Sequence, residues 1–237
     1  MNRNTTKSLF FILIAVCIPE FIFPQHTTNQ SVESYKIVIA GAKGVGKSSL
    51  ITRYCDDIFK EDMKATIGVD FKRKSITVKG AHNDMNLELN IWDFGGEERY
   101  RTLFPAYANG ASAAFILFDT TNKETLNDID NWIDIIDENA FSNIVKQVIA
   151  TKIDLKSERQ ISKKEAYDFC KKYDWCEDIT STSSKTGENV EEAFLYVVRK
   201  IIEKNLQVCK SCGEVFNKKL KNCQYCGEKI EAEISPL

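Results

Sequence analysis

Gly41-Ala-Lys-Gly-Val-Gly-Lys-Ser-Ser49 is the stretch that decides the fold. Gly41, Gly46, Lys47 and Ser48 fall at the spacing G-x-x-x-x-G-K-[ST]. Tyr35 to Ala40 (YKIVIA) just before it has the character of a buried strand, and Lys47 to Tyr54 suits a helix. A glycine-rich turn between a strand and a helix lets the backbone curl so that successive N–H groups point at phosphate oxygens. The helix N-terminus adds a partial positive charge. Lys47 is then placed to reach β- and γ-phosphates, and Ser48 to hold Mg²⁺. An ordinary glycine-rich turn is the alternative, and the flanking strand and helix count against it.

Working outward, strand-like and helix-like runs alternate. Asp70 to Val78 and Leu87 to Trp92 read as strands separated by Gly80 and polar residues, as in a hairpin. Ala113 to Phe118 reads as a central strand. Lys123 to Glu138 carries Leu126, Ile129, Ile133 and Ile136 at helical spacing. Val145 to Ala150 is a further strand, and Ser162 with Glu165 three positions on forms a capping box. Ile179 to Thr182 and the amphipathic Val190 to Lys204 close the series. The pattern predicts an α/β domain over residues 35–206, with a mainly parallel six-stranded sheet covered by helices on both faces. The 237 residues, 43% hydrophobic, suffice for one such domain and something small. A net charge of -2 gives no global attraction to nucleic acid or acidic membrane.

Thr151-Lys152-Ile153-Asp154 follows the Val145–Ala150 strand and fits [N/T]-K-x-D. A carboxylate at its end accepts from both the ring N–H and the exocyclic amine of guanine. Adenine lacks that donor pair and leaves the carboxylate unpaired, which is costly. The aliphatic stem of Lys152 can cover the base. Alone the tetrapeptide is weak evidence; its position at a strand end, well after the glycine-rich turn, gives it force.

With these residues the chain resembles the Ras superfamily of small GTPases, the Rab branch most closely, from about Tyr35 to Asn205. The matching segments are GAKGVGKSS, ATIGVDFK (Ala65 to Lys72), WDFGGEERYR (Trp92 to Arg101), TKID and TSSKTGENV (Thr182 to Val190). The resemblance implies a P-loop NTPase G domain that binds GTP and GDP with Mg²⁺ and hydrolyses GTP. It implies nucleotide contacts from Gly41, Lys43, Gly44, Val45, Gly46, Lys47, Ser48 and Ser49. Thr66 is then the Mg²⁺ ligand that senses the γ-phosphate, Phe59 the aromatic against the guanine, and Asp93 a holder of the Mg²⁺ shell. Gly96 offers its N–H to the γ-phosphate. Thr151, Lys152, Asp154, Ser183, Ser184 and Lys185 form the base pocket, Ser184 through its backbone N–H. Two loops held by the γ-phosphate and Mg²⁺ relax once that phosphate leaves. Effectors, exchange factors and GTPase-activating proteins are the implied partners, effectors on the Ile67–Phe71 region.

Five positions depart from that pattern, Phe94 and Gly95 standing together where a Thr-Ala pair is common. Glu97 stands where the family has a glutamine that orients the attacking water, so Glu97, with Lys47 and Thr66, makes the candidate catalytic set and slow hydrolysis is expected. Lys43 places a long cation in the phosphate loop, and an ion pair with Glu97 would let the two charges compensate. Gly95 is expected to loosen the second switch loop. Ser184 replaces an alanine, a mild change if its backbone makes the contact.

Eight cysteines are present. Cys17, Cys55, Cys170 and Cys176 are scattered, which with the paired remainder predicts reduced thiols and a cytoplasmic chain. Cys209, Cys212, Cys223 and Cys226 form C-x₂-C-G-x₉-C-x₂-C-G over residues 207–230, the ligand spacing of a zinc ribbon with structural Zn²⁺. Lys210, Lys218, Lys219, Lys221 and Lys229 with Phe216 and Tyr225 leave nucleic-acid binding open, while Glu214, Glu228 and Glu231 dilute the charge and favour protein contact or C-terminal capping. The tail 231–237 ends Ile-Ser-Pro-Leu without a C-a-a-X signal, so prenylation is not expected. Residues 1–24 are an apolar leader and 25–34 a polar linker. The run 9–23 is short for a span, and three readings stand: a monotopic anchor on the cytoplasmic face, a secretion signal, or upstream sequence admitted by a wrong start.

Overall fold

The first strand, β1, runs Val32–Ala40, three residues earlier than the apolar pattern marks it, because Val32, Glu33 and Ser34 pair with Asn86, Leu87 and Glu88. The computed structural model describes residues 32–140 and 144–229; the leader, Cys17 and the tail lie outside them. After β1 come α1 (Lys47–Asp56), β2 (Val69–Val78), β3 (Met85–Phe94), α2 (Glu98–Arg101), α3 (Phe104–Ala108) and β4 (Ala113–Asp119). Then follow α4 (Lys123–Asn127), α5 (Ile129–Asn139), β5 (Val145–Thr151), α6 (Lys163–Cys170), β6 (Ile179–Ser181) and α7 (Val190–Asn205). Two short strands, β7 (Leu206–Val208) and β8 (Val215–Asn217), end the series.

Six strands form one sheet in the order β2-β3-β1-β4-β5-β6. All neighbours are parallel except the β2–β3 hairpin, where Phe71 faces Trp92. Strand alternation divides the apolar side chains between two cores. Ile37, Ile39, Leu89, Phe115 and Leu117 pack under α1 and α7, where Tyr54 and Phe194 stack with ring centroids 3.7 Å apart. Val38, Ala114, Ile116, Phe118 and Val148 pack under Phe104, Trp132, Ile133 and Phe169. The predicted doubly covered sheet is the observed one.

Two features differ from the sequence reading. The helix predicted over Lys123–Glu138 is two helices that break at Asp128. The Asp128 carboxylate takes both Arg101 Nη atoms (3.1 and 2.5 Å) and Trp132 Nε1 (2.9 Å). Leu126 and Ile129 enter the same core on either side of the break, so the apolar spacing continues while the backbone does not. The expectation of reduced thiols is corrected at Cys170 and Cys176, which form a disulfide with Cα atoms 5.3 Å apart. Cysteine usage therefore assigns no reducing compartment.

Candidate functional site

Five strands end at one edge of the sheet. The phosphate loop follows β1, Asp93 lies near the end of β3, Asp119 ends β4, Thr151 ends β5, and Thr182 follows β6. Carboxyl ends of strands where the strand order reverses are where open α/β sheets bind ligands. A cavity of about 580 Å³ opens there, lined among others by Lys43, Gly44, Lys47, Ser48, Ser49, Phe59, Thr66, Gly96, Glu97, Lys152, Asp154, Ser184 and Lys185. Gly41, Val45, Asp93 and Ser183 stand behind that lining. Two sequence segments 106 residues apart are joined directly: Thr151 Oγ1 donates to the Val45 carbonyl at 2.7 Å, and also to that of Phe118 at 2.9 Å. Thr151 thus fixes the turn that carries Lys152 and Asp154 against the glycine-rich loop.

Lys47 is buried, and its Nζ donates to the Gly41 and Ala42 carbonyls at 2.7 and 2.9 Å. Burial lowers its pKa to about 8, partly offset by the Asp93 carboxylate. A buried cation at the mouth of α1 is an electrostatic demand for an anion. Beside it, Ser48 Oγ lies 2.7 Å from Thr66 Oγ1 and donates to Asp93 Oδ2, which Thr66 Oγ1 also approaches at 3.2 Å. Asp93 Oδ1 is buried with no hydrogen-bond partner, and burial raises the carboxyl pKa against the pull of Ser48 and Lys47. Three hard oxygen donors with an orphaned carboxylate oxygen fit a small divalent cation such as Mg²⁺.

Glu97 enters the cavity from the second switch loop, and Lys43 Nζ meets its Oε1 at 2.9 Å. Lys43 is 62% exposed and Glu97 23%, so the expected ion pair forms at the rim of the cavity. Gly95 is closely packed in this loop. Its N–H donates to the Gly68 carbonyl at 2.9 Å, and a Cβ there would stand 2.6 Å from the Thr66 carbonyl oxygen. A Cβ on Gly96 would stand equally close to the Ala42 carbonyl oxygen. The two glycines let the loop after β3 press on both the segment that carries Thr66 and the glycine-rich loop. Phe94 anchors the strand end through edge contacts with Phe104 and Tyr107.

At the base end, Ser183 Oγ donates to Asp154 Oδ1 at 2.6 Å, and Thr186 N–H closes back on Ser183 Oγ at 3.1 Å. The Lys152 ammonium lies 2.6 Å from Asp119 Oδ2, whose other oxygen accepts from Thr121 N–H and hydroxyl at 2.8 and 2.7 Å. Phe59 forms part of the opposite wall. Lys185 reaches Glu61 Oε1 across the mouth at 2.7 Å. Asp119, Glu61 and Arg53, which grips the Ser184 and Lys185 carbonyls, are missing from the sequence reading. Their partners are remote in sequence and no local motif marks them.

A second cluster stands away from this edge. The Sγ atoms of Cys209, Cys212, Cys223 and Cys226 all lie within 4.8 Å of one another, with Cys209–Cys226 at 3.6 Å and Cys212–Cys223 at 3.7 Å. A tetrahedral Zn²⁺ with Zn–S of about 2.3 Å requires edges of about 3.8 Å, so the four thiols fit that ion. The two halves repeat: Gly213 N–H donates to the Cys209 carbonyl and Gly227 N–H to that of Cys223, both glycines at φ 77°, a left-handed conformation favourable only to glycine. Backbone N–H groups of Cys212 and Ser211 help bring the Cys209 thiol down to about 7.

This module is seated on the domain. The buried Glu214 carboxylate accepts from His82 N–H at 2.9 Å and Asn83 N–H at 3.1 Å, at the tip of the β2–β3 hairpin. His82 stacks on Tyr225 with centroids 4.1 Å apart, and its Nε2 lies 3.1 Å from the Cys212 carbonyl. Leu206 and Val215 join the core under α7. Of the two aromatics that accompany the lysines, Phe216 is buried, while Tyr225 stacks on His82 but stays exposed. Among the described residues no helix is long and apolar enough to cross a membrane.

The Ras family model matches residues 36–203. The Ras-related protein Rab-8B of Homo sapiens is 36% identical over 170 residues, covering 72% of this chain and 79% of that protein. The Ras-related protein Rab-18-B of Danio rerio is 38% identical over 169 residues, covering 71% and 79% respectively. The Ras-related protein Rab-18 of Lymnaea stagnalis is 37% identical over 178 residues, covering 74% and 84%.

Proposed function

The chain belongs to the Ras family, and from that premise we propose that it is a Rab-like GTP-binding switch that hydrolyses GTP slowly and regulates partner proteins in membrane traffic. One observation carries the reading most directly. Lys47, the Ser48–Thr66–Asp93 oxygens and the Asp154–Ser183 pair line or back a single cavity, in the order phosphate, metal, base. When bound there, Mg²⁺ would neutralise charge on the phosphate oxygens, held by Ser48, Thr66 and, through water, Asp93. The phosphate-loop residues Gly41, Lys43, Gly44, Val45, Gly46, Lys47, Ser48 and Ser49 supply backbone N–H groups and cations. Asp154 selects guanine. Thr66 and Gly96 sense the γ-phosphate from the two loops that Gly95 locks together.

Slow hydrolysis rests on Glu97. As a carboxylate it accepts from water but donates no hydrogen bond to the phosphate, and it brings negative charge to a triphosphate; Lys43 offsets part of that charge. Exposed apolar side chains suit effectors and regulators: Ile67 is 82% exposed, and Phe71 makes an edge contact with Trp92 beside Tyr107. The Cys₄ module, residues 207–230, is read as a Zn²⁺-held cap on the domain 35–206, supported by its buried Glu214 contact. Residues 9–23 are read as a contact with the cytoplasmic face of a membrane.

Native mass analysis of the purified full chain, together with single-turnover phosphate release, tests this. One guanine nucleotide, one Mg²⁺ and one Zn²⁺ per chain, with slow release accelerated by a GTPase-activating protein, is the expected result. Bound GTP with no release under any partner would reduce the protein to a GTP-binding scaffold.

A further inference from the structure

Arg53 stands in the last turn of α1, the helix that opens with Lys47 at the phosphate loop. Its guanidinium leaves the helix and crosses 131 positions of sequence. Nε donates to the Ser184 carbonyl at 2.7 Å, and Nη2 donates to the Lys185 carbonyl at 3.0 Å. Nη1 is spent on Asp57, at 3.1 Å to its carbonyl and 2.9 Å to its carboxylate. The side chain is only 18% exposed. A rigid guanidinium fork holding two successive carbonyls restricts two peptide planes at once, which a single flexible ammonium does not do.

The loop it grips is otherwise closed on itself. Ser183 N–H donates to the Glu188 carbonyl, Gly187 N–H to the Ser183 carbonyl, and Thr186 N–H to Ser183 Oγ. Among the described residues, the N–H groups of Ser184 and Lys185 have no protein acceptor, and both residues line the cavity. In a trans peptide the N–H points opposite to the carbonyl of the preceding residue. Pulling the Ser184 carbonyl toward α1 therefore turns the Lys185 N–H the other way. The loop holds two unspent donors, and Arg53 fixes the carbonyls between and after them.

We propose that Arg53 is a positioning residue for base recognition, aiming the Lys185 N–H at the exocyclic 6-oxo oxygen of a purine beside the Ser184 N–H, whose peptide plane Gly187 holds through the Ser183 carbonyl. This rests on the reading that the Ser184 backbone meets the base. It divides the pocket's labour: Asp154, held by Ser183, reads the ring N–H and the 2-amino group, while the loop held by Arg53 reads the 6-oxo group. Because α1 also carries Lys47 and Ser48, one helix then sets the phosphate end and the 6-oxo end of the pocket at a fixed separation.

The test compares Mg²⁺-dependent binding of GDP, of inosine diphosphate (no 2-amino group) and of 6-thioguanosine diphosphate (the 6-oxo oxygen replaced by sulfur, a weaker acceptor, with the ring N–H and 2-amino group kept). Each is measured on the full-length wild type, Arg53→Lys and Arg53→Met. Wild type should prefer GDP to the 6-thio nucleotide. Arg53→Met should lose severalfold in that preference, at most the scale of one neutral hydrogen bond to the 6-oxo oxygen, while the preference of GDP over inosine diphosphate stays unchanged. Arg53→Lys should recover part of the loss. Equal weakening of all three nucleotides in both variants means Arg53 serves only stability and overturns the proposal. A wild type indifferent to the 6-oxo group overturns the reading beneath it, whatever the variants do.

Discussion

Lys43 and Glu97 bring opposite charges to the place where a γ-phosphate would sit, one from the phosphate loop and one from the second switch loop. With Lys43 more than half exposed, solvent screens the pair, so a coupling of about 0.5–1 kcal/mol is the realistic scale. In single-turnover hydrolysis, Glu97→Gln should be faster than wild type, because an amide both accepts from water and donates. Lys43→Gly should be slower, because it leaves the Glu97 charge uncompensated beside the triphosphate. Lys43→Gly in the Glu97→Gln background should lose about two- to fivefold less than in wild type. Strictly additive effects would show that the ion pair has no part in turnover. Both residues were legible in the sequence because each occupies a motif position where another residue type is expected. Arg53 and Asp119 were not, since each acts on a group many positions away through side-chain geometry that no spacing encodes. The packing at Gly95 was not legible for a related reason. Chain freedom is a local property, whereas its value here is the close approach of Thr66 and Tyr100 to a missing Cβ.

The elements follow from local rules wherever both ends of an interaction lie within one turn. Ser162 and Glu165 show this, with the Ser162 hydroxyl accepting from Glu165 N–H at 3.1 Å and the Glu165 carboxylate accepting from Ser162 N–H at 2.9 Å. The S-x-x-E spacing announced α6, and Ser162→Ala should cost about 1 kcal/mol, read as a lower midpoint in urea unfolding. The same carboxylate meets Lys123 at 2.7 Å, tying α6 to α4. The Lys123 ammonium, then the Ser162 N–H and hydroxyl, lower Glu165 from 4.5 to about 2. A depressed carboxyl pKa means that the unfolded chain binds the extra proton first. The stabilisation is therefore complete above about pH 4.5 and is lost as pH falls toward 2. Wild type and Glu165→Gln should accordingly differ in stability at pH 6 and converge as pH falls below 4, and a pH-independent difference would deny the linkage. The break between α4 and α5 escaped the sequence because Leu126 and Ile129 keep helical spacing across it. Asp128 at the break makes a tertiary contact with Arg101, 27 positions away, and a local one with Trp132.

At the scale of the molecule, the paired cysteines announced a metal module but said nothing of where it sits. Its seat depends on Glu214, a buried carboxylate whose two donors come from residues 131 and 132 positions earlier. The module also completes the core under α7 through Leu206 and Val215, and Lys218 Nζ donates to the Glu203 carbonyl at 2.5 Å. It has too little apolar surface to hold its shape alone, so metal would supply the missing free energy. If the cap reading is right, zinc should be felt at the β2–β3 hairpin tip, where no cysteine lies. Removing zinc from the full chain by chelation should raise amide hydrogen exchange at His82 and Asn83 and lower the thermal midpoint. Glu214→Ala should reproduce the exchange at those two amides with zinc still bound, at a stability cost of about 1–3 kcal/mol for two buried donors left unpaired. Glu214→Gln, whose amide oxygen still accepts, should largely spare them. Unchanged exchange at the hairpin after chelation would make the module an independent tail. A common pattern in the chelated protein and Glu214→Ala would instead make the four cysteines part of the stability of the sheet that carries Asp93.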